Sequence, residues 1–219
     1  MGNIFRYDSP FMTKLAMVFN LALLNVLWLL TSLPIVTMGA ANTAVYSVLF
    51  RHLTDEGDDI IKPYFKAFRA NFKQSTCVWL PMMAVIVILV IDAYYILTHP
   101  DVTWLLWIPF AFVLLILLAL TTYVFGLIAR FENTLRDTMR NSFLLFMLNL
   151  IPSVSMLLVS AVPLLVYLFM TELFFRIGLL WLLYGMSLFA YINAYTMLRV
   201  FKKHMPKEEN KETAEKAEV

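Results

Sequence analysis

The chain has 219 residues, of which 61% are apolar and only 15% charged, with a mean hydropathy of +0.76 and a formal net charge of +2. Soluble domains carry about 45–50% apolar and about 25% charged residues, and a chain of this length still exposes much of its surface, so a larger core cannot absorb the excess. The composition places the chain in lipid. It excludes an intrinsically disordered chain, and the single cysteine, Cys77, excludes a disulfide scaffold.

A bilayer core about 30 Å thick takes about 20 helical residues. Arg6 and Lys14 precede the first apolar run, Leu15 to Leu33, which exceeds the usual 7–15-residue apolar region of a secretion signal and is expected to be an uncleaved anchor. Position 6 is Arg, so Met1-Gly2 does not open a myristoylation motif. The next stretch, PIVTMGAANTAVYSVLFRHL over 34–53, is only modestly hydrophobic because of Gly39, Ala40, Ala41 and Ala44. Small residues let helices approach closely in membranes, so a packed internal span is expected there, capped by a hydroxyl of Thr31 or Ser32 and started at Pro34. A hairpin turning near residue 33 would put Asn25 level with Asn42, and Asn20 with Ser47.

Further along, Ile61, Phe65, Phe68 and Phe72 share one helical face, and Lys62, Lys66, Arg69 and Lys73 form a stripe about 100° around it. A short amphipathic helix over 60–76 is expected to lie in the membrane interface or to offer a docking surface to a cytoplasmic partner. Spans are then expected near 76–97, 102–129, 143–169 and 173–198. Between them the loop ARFENTLRDTMRNSF carries Arg136 and Arg140. Arg69 stands twelve residues before Pro81 and Arg140 twelve before Pro152, which suggests a duplicated unit over roughly 34–97 and 102–169.

The fold class is therefore all-α, an integral membrane bundle of six transmembrane helices, with five as the alternative, within a domain over 1–201. Charge placement favours six. Sixteen of the seventeen Lys and Arg then fall on one side and both termini are cytoplasmic, against fourteen and three for five spans. Residues 202–219 read as a charged, disordered tail. The expected location is the plasma membrane, with the lipid bilayer as surroundings and no nucleic-acid partner. Trp28, Tyr94, Tyr95, Trp104, Trp107, Tyr167, Trp181 and Tyr184 map to the outer half as an aromatic belt.

No zinc-protease, hydrolase-elbow or phosphate-loop motif is present, and His52, His99 and His204 have no carboxylate at ligand spacing. An enzyme is not expected, and neither a metal nor another cofactor. Asp92 is the one acid well inside an apolar span, where a central charge costs about 2.5–3.5 kcal/mol. It therefore stands either with a partner such as Arg176 or in a polar cavity. Asp92, Asn25 and Asn42 are the candidate solute-binding residues. Lys62, Phe65, Lys66, Phe68, Arg69, Phe72, Lys73, Arg136 and Arg140 are the candidate interface or docking residues.

The runs LLNVLWLLTSLPIVTMGAANTAVYSVLFR and PYFKAFRANFKQST, with the motifs Leu33-Pro34 through Thr37 and Gly39 and Asn71-Phe72-Lys73-Gln74, resemble the signature region of the YesL-like family. That family comprises multi-pass membrane proteins of unknown function, found mainly in Gram-positive bacteria. Its members are commonly encoded beside binding-protein-dependent carbohydrate importers. The resemblance implies a non-enzymatic accessory to carbohydrate uptake that contacts subunits of an ABC-type sugar importer. It assigns no functional residue. The rival expectation is a stand-alone carrier or channel for a small solute.

Overall fold

A computed structural model describes residues 10–99 and 104–204. Residues 1–9, 100–103 and 205–219, the last including most of the charged tail, lie outside the described residues. Those described form an all-helical bundle: α1 (Pro10–Ser32), a 3-10 turn (Ile35–Thr37), α2 (Met38–Leu53), α3 (Ile61–Thr98), α4 (Trp107–Arg130), α5 (Leu135–Leu148), α6 (Leu150–Phe169), α7 (Thr171–Arg176) and α8 (Gly178–His204). Five helices are long and apolar enough to cross a membrane, namely α1, α3, α4, α6 and α8. Their outward faces carry Phe19, Leu30, Val90, Ile91, Phe112, Leu158 and Leu179, all well exposed on the isolated chain and suited to lipid contact.

The stretch expected as a sixth span forms α2, which is only 16 residues long and begins four residues after Pro34. The start chemistry expected at 31–34 is used otherwise. α1 runs on to Ser32, Thr31 donates its hydroxyl to Leu27 O at 2.9 Å, and Thr37 donates to Pro34 O at 2.7 Å to close the turn. The modest hydropathy of α2 does reflect internal packing. Ala40, Ala41, Ala44 and Val45 are fully buried, and α2 touches α1, α3, α4 and α8. Gly39 lets α3 come close, since a Cβ there would sit 2.6 Å from Trp79 Cβ and 2.8 Å from Ser75 O. Beside it the Thr43 and Ser75 hydroxyls share a buried 2.8 Å hydrogen bond.

The amphipathic segment is not a separate short helix. Residues 61–98 form one helix of 38 residues, with the Phe and Lys/Arg positions on its N-terminal half. Pro63 sits in the first turn, where a missing N–H costs nothing. Pro81 lies inside the helix and removes only the bond to Cys77 O, a loss that packed membrane helices tolerate.

The run expected to span 143–169 is instead divided at Asn149. Pro152 cannot donate to Leu148 O, and the polar side chains nearby complete the break. Asn149 leaves helical geometry at φ −131° and ψ 56°, its amide donates to Leu145 O at 3.1 Å, and Ser153 donates to Asn149 O at 2.7 Å. The span expected at 173–198 likewise begins as the short α7 and continues as α8 to His204. Thr134 caps α5, accepting from Asp137 N at 3.2 Å and donating to its carboxylate at 2.6 Å.

Two glycines provide a contrast. Gly39→Ala forces backbone and a Trp Cβ apart and is expected to lower stability by about 1–3 kcal/mol. Gly126→Ala meets the Met197 sulfur at 2.6 Å, with Phe50 Cζ at an ordinary 3.5 Å, and is expected to cost less, because a flexible side chain rather than backbone must give. Thermal unfolding of both variants in detergent micelles checks the order.

Candidate functional site

The α3 helix turns Tyr64, Ala67, Ser75 and Val78 inward, all buried. Lys62, Lys66, Arg69 and Lys73 are exposed on the other side, and Phe65 and Phe72 are each 38% exposed. Phe68 is half-buried, stacked on Tyr64 at 6.4 Å between centroids and edge-on to Phe72 at 5.7 Å. The Tyr64 hydroxyl meets that of Thr31 at 2.6 Å, which ties the α3 start to the α1 end. One aromatic face therefore partly seals the bundle rather than lying wholly outward.

Gln74 Nε2 donates to Asn133 O at 2.9 Å, joining α3 to the segment that starts α5. Arg136 and Arg140 are exposed on α5. Six basic side chains from two helices thus flank one interhelical contact, and among the described residues none of the six forms an ion pair. The α2–α3 loop adds a clip to the same end of α4: Arg130 pairs with Glu56 at 3.2 Å and Arg51 donates to Glu56 O at 3.2 Å. Partial desolvation opposes ionisation of Glu56, but the Thr54 hydroxyl and the Arg130 and Arg51 guanidiniums outweigh it and hold the carboxyl below the ordinary glutamate range. His52 and Asp58 meet at 2.9 Å within this loop.

The three candidate solute-binding residues do not converge. Asn25 is buried at 1% exposure and reaches across to α8. Its amide donates to Leu182 O at 2.7 Å, and its oxygen accepts from Met186 N at 2.9 Å and Ser187 N at 3.0 Å. Leu182 and Met186 are four apart, so one side chain bridges both ends of a single rung of the α8 hydrogen-bond ladder. Asn42 accepts from Trp28 Nε1 at 2.8 Å, so the expected Asn25–Asn42 pair does not form. Asn20 borders a small crevice with Val48 and His52. Asp92 is exposed on the outer face of α3, and Arg176 pairs with Glu172 at 3.6 Å. From there, six residues before the α3 end, the carboxylate can reach headgroups or water.

One polar recess is not among the sequence-based expectations. It lies among α2, α4, α6 and α8, has a volume of about 280 Å³, and is bordered by Tyr46, Thr121, Thr122, Ser160 and Asn193. Its signal was Asn193 alone in an otherwise apolar run. Among the described residues no three His, Cys, Asp or Glu side chains gather into a metal-sized cluster.

A family model described as "Protein of unknown function, DUF624" matches residues 21–93, about a third of the chain, from within α1 through α2 and most of α3. Comparison with curated proteins gives no match, and comparison with solved structures gives none.

The Asn25 bridge leads to an ordered pair of outcomes. Asn25→Leu removes three interhelical hydrogen bonds and is expected to lower stability by about 1–2 kcal/mol. Asn25→Asp is expected to cost more at neutral pH, because the buried carboxylate cannot donate to Leu182 O, and to regain stability as acid protonates it. Unfolding midpoints between pH 4 and 8 read both effects.

Proposed function

We propose that this chain is a non-enzymatic integral membrane accessory of carbohydrate uptake, which docks subunits of an ABC-type sugar importer through the basic end formed by α3 and α5. The observation that carries the reading is the surface of Lys62, Lys66, Arg69, Lys73, Arg136 and Arg140, exposed and without ion pairs of its own among the described residues. Half-exposed Phe65 and Phe72 lie on the same stretch. Unpaired guanidinium and ammonium groups interleaved with aromatic rings suit a protein partner with an acidic, partly apolar surface. The sugar importer as partner comes from the YesL-like resemblance. The match to a family of unknown function over 21–93 is consistent with that resemblance and names no partner.

The same reading places the basic end in the cytoplasm, since Lys and Arg are retained there. Asp92 on the outer face of α3 and the separation of Asn25 from Asn42 weigh against a carrier built on those three residues.

Affinity capture of the chain in mild detergent is expected to recover importer subunits, and the combined Lys66→Glu, Arg69→Glu and Arg140→Glu variant to lower recovery about tenfold or more. No importer subunit in the eluate, together with unchanged sugar uptake after deletion of the protein, overturns the proposal.

A further inference from the structure

The polar recess among α2, α4, α6 and α8 holds a buried acceptor without a donor. Asn193 is 5% exposed, and its amide nitrogen donates to Ser160 Oγ at 2.8 Å. Its carbonyl oxygen Oδ1 is buried and has no hydrogen-bond partner. Leaving such an acceptor empty costs about 1–3 kcal/mol, and in lipid there is little competing water to relieve it. The two neighbouring threonine hydroxyls do not help. Thr122 and Thr121 both spend their protons on Leu118 O, at 2.7 and 3.0 Å, and so face the recess with oxygen lone pairs. Ser160 accepts from Asn193 and keeps a proton to give.

The recess therefore offers three acceptors, Asn193 Oδ1 and the two Thr oxygens, and two donors, Ser160 and the Tyr46 hydroxyl, which stands beside Asn193. Nothing bordering it carries a full charge at neutral pH; Tyr46 is the one titratable group. An ionic ligand would sit there uncompensated. Met156 and Leu157 form an apolar wall on the α6 side. Its volume of about 280 Å³ is near the lower end of small-molecule sites, enough for a glycerol- or monosaccharide-sized group.

We propose that this recess binds an uncharged, hydroxyl-rich group with an apolar side, its hydroxyls donating to Asn193 and to the Thr oxygens. Such a group reaches the recess either as the head of a neutral glycerolipid from the bilayer or as a free sugar from water. The site is separate from the α3–α5 basic end, so it stands or falls independently of importer docking.

The full chain in maltoside-free micelles is titrated with 1,2-dioctanoylglycerol, with D-glucose and, as a charged control, with dioctanoyl phosphatidate, following the unfolding midpoint. Saturable stabilisation by dioctanoylglycerol supports a lipid source, and by glucose an aqueous one. In either case the effect is expected to disappear in Asn193→Leu and to need about tenfold more ligand in Thr122→Val, which keeps shape and removes one acceptor. Asn193→Leu alone is expected to be at least as stable as the parent, since it removes an unpartnered buried oxygen. Neither neutral probe stabilising the parent, stabilisation by phosphatidate alone, or equal stabilisation of the parent and both variants overturns the proposal. So does a structure in which the Tyr46 hydroxyl closes on Asn193 and only water fills the recess.

Discussion

A helix of 38 residues extends about 57 Å, and the hydrocarbon core of a bilayer is about 30 Å thick. That mismatch in α3 is the constraint on which the arrangement of the molecule depends. Tilt absorbs only part of it, so close to half of α3 must stand beyond the core. Its sequence decides which half. Lys62, Lys66, Arg69 and Lys73 occupy the first thirteen residues, while the remainder carries a single charge, Asp92, close to the far end. A lone central charge costs about 2.5–3.5 kcal/mol, so immersing four would cost far more than any packing they make could return.

Once α3 is fixed, its neighbours follow from contacts along it. The Gly39 approach and the Thr43–Ser75 bond lay α2 against its middle, and Trp79 Nε1 donates to Ile35 O at 2.7 Å, which pins the α1–α2 turn. Gln74 carries the Asn133 segment, so α5 begins beside the basic half. On the far side of α2 the bundle closes through α1 and α8, where Asn25 satisfies three backbone groups of a single helix. Each of these junctions joins polar atoms that water would otherwise hold. In a bundle with little water they act as specific fasteners, each worth on the order of 0.6–2 kcal/mol, between helices whose apolar faces alone discriminate poorly among partners.

The lipid environment and most helix positions were legible in the sequence because hydropathy and charge are local properties. The small residues over 38–44 pointed to a closely packed span; the helix there is closely packed, but it is not one of the five long enough and apolar enough to cross. What escaped was set by distant contacts. Asn25 finds its partners 157 to 162 residues away on α8, so a hairpin rule that considers only α1 and α2 assigns it to Asn42. The division at Asn149 depends on Pro152 and Ser153 acting together, whereas Pro81 leaves α3 unbroken; a proline alone does not distinguish the two. Asn193 stood in an apolar run like any polar residue in a membrane helix, and its meaning appears only when α2, α4 and α6 supply the rest of the recess.

The continuity of α3 decides whether the basic residues project from the membrane as a docking face or lie flat on it as an anchor. Spin labels at Lys62→Cys and Tyr94→Cys, in a Cys77→Ser background in nanodiscs, measure it directly. One unbroken helix predicts a separation of about 48 Å. A helix that turns into the membrane plane near residue 76 would give about 34 Å, and that result would contradict the account.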